Sequence, residues 1–232
     1  MAGVPTPIPG RDAYLAAWAR THGGYDPATG GALVRGWLGF SYRLARPLAA
    51  AAVPPSVLTG LAAALPVLAV PAAAAGGHWP LLAVLTVAVS GLLDSLDGAV
   101  AILRARVSAA GFVLDSVADR VADGLFLLAL WALGAPGWLA VAAGAGVVLL
   151  EYTRARAAGA GFGEIGIVTV GERPTRVLVT AAGLLVAGVL PGWRGVAAVL
   201  ATAGELAVTV IGLGQLTVVL HRLLSGKSSR QD

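Results

Sequence analysis

Cysteine is absent from the 232 residues. That excludes a disulfide framework, a thiolate metal site and a cysteine nucleophile. Charge is scarce too: Asp, Glu, Lys and Arg make up 12% of the chain, about half the share of an average soluble domain. The sixteen basic residues include a single lysine, Lys227. Near the N-terminus there is no apolar core of the roughly 7–15 residues that a secretory leader carries. Residues 1–32, rich in Gly and Pro, read as a flexible cytosolic tail with room for a short helix over Arg11–Arg20. No basic stripe interleaved with aromatics occurs in a soluble segment, so the net charge of +4 does not point to nucleic acid.

What the chain has in abundance is apolar surface. Hydrophobic residues make up 57% and the mean hydropathy is +0.82, where a soluble domain has about 45–50% apolar residues. An all-α integral membrane protein of one domain follows. Apolar runs predict six spans, near Val57–Ala75, Pro80–Arg104, Ala109–Leu133, Gly137–Ala157, Pro174–Leu190 and Arg194–Leu223. A hydrocarbon core needs roughly 20 helical residues. Pro55, Pro80 and Pro174 suit helix starts, where a missing N–H is tolerated, and Ser108 suits an N-cap. Ahead of the first span, Trp37, Leu38, Phe40, Tyr42 and Leu44 mix with Arg35, Arg43 and Arg46. That mixture predicts an N-terminal amphipathic helix in the membrane interface over residues 33–52; a linker with snorkelling side chains is the alternative. The six-helix domain then covers 53–224, and 225–232 form a cytosolic tail.

Six spans put both termini on one side. That side collects Arg35, Arg43, Arg46, Arg104, Arg106, Arg154, Arg156, Arg173, Arg176, Arg222, Lys227 and Arg230; the opposite loops hold only Arg194. By the positive-inside rule both termini are cytosolic. Trp131, Trp138 and Trp193 fall at the other edge and read as an aromatic belt. His78 and His221 stand alone in the sequence and read as unpartnered.

Against this background the aspartates stand out. Asp94 and Asp97 are three apart near the cytosolic end of the second span; Asp115, Asp119 and Asp123 are four apart along the third. Such spacings share a helix face, and the short "RARVSA" turn makes the two helices antiparallel neighbours. Converging carboxylates in a low-dielectric site cannot all stay ionised unaided. A proton relay or pairing with arginine would relieve them, and so would divalent cations. Hard carboxylate oxygens suit Mg²⁺, Mn²⁺ or Ca²⁺, and a pair of ions suits phosphoryl transfer. Gly98 and Gly111 allow close approach of a ligand, or equally close helix packing. Asp123 reads as an arginine partner, with Arg120 the candidate, or less naturally as a further metal ligand. Glu205 in the last span reads as a helix–helix contact.

The segment resembles the CDP-alcohol phosphotransferase signature, D-x2-D-G-x2-A-R-x8-G-x3-D-x3-D. Here it reads Asp94, Asp97, Gly98, Ala101, Gly111, Asp115 and Asp119 with every spacing kept; Ile102 stands where the pattern has arginine. Arg106, one turn later, is a candidate replacement. "PPSVLTG" is similar to the family's opening of the first span, with Ser56 and Thr59 at the matching positions. "EYTRARAAGAGF" and "GERPTR" look like the arginine-bearing elements of the phosphatidylinositol-phosphate synthase branch.

The resemblance implies a membrane enzyme of phospholipid biosynthesis, a homodimer whose site opens to the cytosolic leaflet of a bacterial plasma membrane. Asp94, Asp97, Asp115 and Asp119 would hold two divalent ions, Mg²⁺ or Mn²⁺. Asp119 would take the acceptor hydroxyl's proton, the alkoxide would attack the β-phosphorus, and CMP would leave. Ser56, Thr59, Asp94, Gly98, Ala101, Arg106, Ser108 and Gly111 would bind the CDP-alcohol, most often CDP-diacylglycerol. Arg154, Arg156, Arg173 and Arg176 would bind the phosphate of a small polar acceptor such as inositol phosphate, with Glu151 and Glu172 as their partners. Glycerol 3-phosphate is the alternative acceptor. A cation transporter and an inactive family member are the alternatives in other classes.

Overall fold

Proline sets several helix boundaries in the computed structural model, which describes residues 8–21, 31–162 and 169–228. Nine α-helices lie among these residues: α1 (Arg11–Thr21), α2 (Ala32–Ala50), α3 (Pro55–Ala64), α4 (Ala69–Ala75), α5 (Pro80–Leu103), α6 (Ala109–Leu133), α7 (Gly137–Ala157), α8 (Arg173–Val189) and α9 (Arg194–Ser228). No strand occurs among them. Pro55 and Pro80 open α3 and α5, and Pro174 is the second residue of α8. The short helix read over Arg11–Arg20 is α1. Most of the rest of the expected N-terminal tail, the residues between "EYTRARAAGAGF" and Thr169, and the C-terminal end with Arg230 fall in 1–7, 22–30, 163–168 and 229–232, outside the described residues.

The first expected span is not one α-helix. A 3₁₀ turn over Leu65–Leu68 separates α3 from α4. Pro66 and Pro71 each lack the N–H that an α-helical bond requires, so the chain tightens locally and continues. Among the described residues, three stretches are long and apolar enough to cross a membrane: Pro55–Ala75, Pro80–Leu103 and Pro191–Ser225. Helix α6 carries Asp115, Asp119, Arg120 and Asp123, and α8 has only 17 residues.

Two helices end in the same unusual way. Ala52 (φ 61°) and Ala105 (φ 50°) adopt left-handed backbone just beyond α2 and α5. In each case a six-to-one bond closes the motif, Val53 N–H to Leu48 O at 3.0 Å and Arg106 N–H to Ala101 O at 2.8 Å. These are Schellman caps with alanine where glycine is usual.

The chain divides into two compact units, Met1–Leu65 with Val89–Ala122 and Pro66–Ala88 with Asp123–Asp232. In the first, Tyr14 of α1, Ala45 of α2, Leu58 of α3 and Leu96 and Val100 of α5 are buried in one apolar cluster. The Ser90 hydroxyl ties α5 to α3 by donating to Ala62 O at 2.7 Å.

In the second unit α8 and α9 pack through small residues. A Cβ added at Gly183 would stand 2.3 Å from the Ala201 Cβ, so only glycine permits that approach. Arg194 accounts for its own exceptional position. Its guanidinium donates to Leu133 O (2.6 Å), Ala132 O (2.9 Å) and Ala74 O (3.1 Å), capping the C-terminal carbonyls of α6 and α4. His78, unpartnered by sequence, in fact lies 2.7 Å from Gly188 O through Nδ1. Trp131, Trp138 and Trp193 are all exposed.

Candidate metal and phosphate site

The aspartate hairpin is built locally. Ser108 caps α6, its hydroxyl accepting from Gly111 N–H at 3.1 Å, which fixes where that helix starts and so the phase of Asp115 and Asp119. Helix α5 stops at Leu103. Asp94, Asp115 and Asp119 each offer a carboxylate oxygen, and these oxygens all lie within 4.8 Å of one another. Asp97, the fourth predicted ligand, is 5% exposed. Its Oδ2 accepts the Thr59 hydroxyl at 2.5 Å. Thr59, which the resemblance gave to the CDP-alcohol, thus touches one of the signature aspartates.

Three carboxylates this close repel one another, and partial burial sharpens the repulsion. The donors are hard oxygens on two helices, the set that Mg²⁺ or Mn²⁺ accepts. The residues present thus fit a divalent metal. Arg120 is 3.7 Å from Asp119, a partly exposed contact. Space is available beside the cluster: a Cβ on Gly98 would meet nothing within 4 Å.

The remaining predicted donor-binding residues divide. Ser56, Arg106, Ser108 and Gly111 are exposed, and Ala101 is half-buried. Arg106 does not continue the face of Ile102. The chain has left α5 by then, and the left-handed turn at Ala105 redirects it. Ile102 itself is half-buried and packs against the apolar cluster around Tyr14.

The predicted acceptor arginines belong to the second unit, and carboxylates hold most of them. Arg176 is 2% exposed. It donates to Asp123 Oδ2 at 3.0 Å, to Glu151 Oε1 at 3.3 Å and to the Gly171 carbonyl. Arg173 Nε is 3.4 Å from Asp123 Oδ1. Asp123 therefore serves two arginines of α8, where the sequence had offered Arg120. Arg154 grips Glu172 with both terminal nitrogens, at 2.9 and 2.8 Å. Arg156 is exposed. Glu172 also accepts from Thr169 N–H at 2.9 Å. Burial raises its carboxyl, but the bonds from Arg154 and Thr169 outweigh that and leave its pKa below the ordinary value. Between α9 and α8, Glu205 accepts the Thr180 hydroxyl at 2.5 Å, the helix–helix contact expected of it.

The sequence reading did not assign the Thr169–Glu172 contact, which lies in the turn ahead of α8 with Glu172 itself at the N-cap. It also missed the Thr59–Asp97 bond, which joins residues 38 positions apart and has no local signature.

Comparison with known proteins shows the family. Residues 52–213 match the family model for CDP-alcohol phosphatidyltransferases. An archaetidylinositol phosphate synthase of Aeropyrum pernix is 37% identical over 116 residues, 47% of this chain and 59% of that protein. A phosphatidylinositol phosphate synthase of Mycobacteroides abscessus is 36% identical over 104 residues, 42% of this chain and 46% of that protein. The matches thus span about half the length of these relatives. A crystal structure of Mycobacterium tuberculosis phosphatidylinositol phosphate synthase with CDP-DAG bound superposes with a TM-score of 0.59 at 25% identity, covering 76% of this chain and 92% of that one. A second structure of that enzyme, in complex with manganese and citrate, gives the same TM-score and covers 88% of that chain. With seven of the eight signature residues in place and more than half its length matched, the chain belongs to the CDP-alcohol phosphatidyltransferase family.

Proposed function

We propose that the protein is a membrane enzyme that transfers a phosphatidyl-type group from CDP-diacylglycerol to a phosphorylated polyol, releasing CMP. The observation that carries this reading is the convergence of Asp94, Asp115 and Asp119 on one point within a signature of kept spacing. Asp94, Asp97, Asp115 and Asp119 are the residues that would hold two divalent ions, Mg²⁺ or Mn²⁺. Bound there, the metal would neutralise charge on the phosphates. Thr59 fixes Asp97, and Ser108 fixes the start of α6. Asp119 accepts the proton of the attacking hydroxyl. Ser56, Gly98, Ala101, Arg106 and Gly111 face the CDP-alcohol. The manganese bound by the M. tuberculosis enzyme supports the metal, and its CDP-DAG supports the donor.

Inositol phosphate is the acceptor we favour, because the relatives compared above are inositol phosphate synthases. Of the two α8 arginines that pair with Asp123, Arg173 is the more exposed, and it is the one we assign to the acceptor's phosphate. Arg154 and Arg156 complete the basic set. Glycerol 3-phosphate is the second acceptor to test. In this reading α3 with α4, and α5 to α9, form six spans; α2 lies in the interface of the plasma membrane; both termini are cytosolic; and the protein is a homodimer. CMP release from CDP-diacylglycerol, measured with inositol 1-phosphate, glycerol 3-phosphate, inositol, serine or no acceptor, tests it. Release with inositol 1-phosphate alone is the expected result, and silence across the panel rejects it.

A further inference from the structure

Helices α1 and α2 precede the residues matched by the family model, 52–213, yet they are built into the unit that carries the aspartates. Tyr14 of α1 is 1% exposed. Its ring lies 5.4 Å from that of Tyr42 on α2, and the Tyr42 hydroxyl donates to Pro9 O at 3.2 Å. Burial pushes the Tyr14 phenol up to about 12. Tyr14 and Ala45 share one cluster with Leu58, Leu96 and Val100, and Ile102 packs against it. Leu58 directly precedes Thr59, and Leu96 directly precedes Asp97. The cluster therefore backs both ends of the Thr59–Asp97 hydrogen bond.

On α5 the residues Leu96, Val100 and Leu103 form one stripe, and Asp94, Gly98 and Ala101 form another. The stripes are two residues apart, roughly 200° around the helix. The apolar cluster thus grips the back of the turn whose front carries Asp94. Helix α2 adds a polar tie: Trp37 Nε1 donates to the Ser95 hydroxyl, next to Asp94, at 3.2 Å. Ligand carboxylates hold their geometry only when the layer behind them is fixed. An arginine at 102 would press a guanidinium toward this cluster, and desolvation opposes that.

We propose that α1 and α2 form a clamp that positions the aspartate-bearing turn of α5, with Tyr14 as its anchor and Ile102 as its contact at the position where the signature has arginine. The inference rests on the metal-site reading given under Proposed function. Tyr14 and Ile102 are positioning residues; neither touches substrate.

The test is a Mn²⁺ titration of the full-length protein in detergent, read as free Mn²⁺ by electron paramagnetic resonance and paired with thermal unfolding. Tyr14→Ala and Ile102→Arg should each raise the Mn²⁺ Kd about ten-fold, the scale for groups that support ligands. Tyr14→Phe, which keeps the ring, should stay near the wild-type Kd. An unchanged Kd in Tyr14→Ala, even with a lowered Tm, would overturn the clamp. If Tyr14→Ala does not fold, Ile102→Ala replaces it under the same criterion. A wild-type protein that binds no Mn²⁺ would instead reject the metal-site reading itself, and the clamp with it.

Discussion

Asp123 and Arg176 form a buried ion pair, 3.0 Å from Oδ2 to Nη2, with both side chains nearly closed to solvent. The pair joins α6 to α8, and Asp123 Oδ1 reaches Arg173 as well. Removing one partner of a buried pair leaves the other charge uncompensated, which costs about 3–5 kcal/mol. Asp123→Asn should therefore lower the melting temperature in detergent markedly. A melting temperature equal to the wild type would show that the pair contributes nothing to folding.

Arg173 and Arg176 separate by exposure, 13% against 2% for their side chains. Arg173→Ala should raise the acceptor KM by about ten-fold or more, the worth of a charge-assisted hydrogen bond, and leave the donor KM unchanged. Arg176→Met should act chiefly on stability. Steady-state kinetics with each substrate varied in turn distinguish the two. Equal effects on both KM values for Arg173→Ala would remove it from the acceptor's surroundings.

The Glu172 carboxyl has a folded-state pKa below its ordinary value, because Arg154 and Thr169 bond to its ionised form. A depressed carboxylate contributes stability above its unfolded pKa, about 4.3, and loses it as pH falls through the folded value. Unfolding followed from pH 7 to pH 3 should therefore show a loss at the acid end that is smaller in Glu172→Gln. Parallel curves for the two proteins would contradict this assignment.

Ala52 and Ala105 hold left-handed backbone that strains an L-residue by about 1–2 kcal/mol. Ala52→Gly and Ala105→Gly should each raise stability by up to about 1 kcal/mol, after the entropy of glycine is subtracted. Thermal unfolding of either variant checks it. A fall in stability would show that the Schellman geometry is not strained.

Much of this was legible in the chain because its signals are local. Pro80, Ser108 and the four-residue spacing of Asp115 and Asp119 fix helix phase without reference to anything distant. The apolar runs give the helices within a few residues, apart from the 3₁₀ turn at Pro66, where the run stays apolar while proline interrupts the bonding. Other features depend on contacts between remote segments. Nothing near Asp123 announces that its partners lie 50 and 53 positions on. Arg106 read as a helical neighbour of Ile102 because no glycine or proline marks the end of α5; the stop comes from an alanine in a conformation alanine seldom adopts. Ile102 looked like a defect in a motif, and its apolar surroundings become visible only once α1 is seen to fold back onto α5.

Metal-dependent transfer at the aspartates has one direct test. Purified protein with CDP-diacylglycerol and inositol 1-phosphate should release CMP only with Mg²⁺ or Mn²⁺ present. EDTA should abolish that release, and Asp119→Asn should abolish it while leaving the melting temperature near that of the wild type. CMP release that persists in EDTA or in Asp119→Asn would contradict the assignment of Asp94, Asp115 and Asp119 as a metal-dependent transfer site.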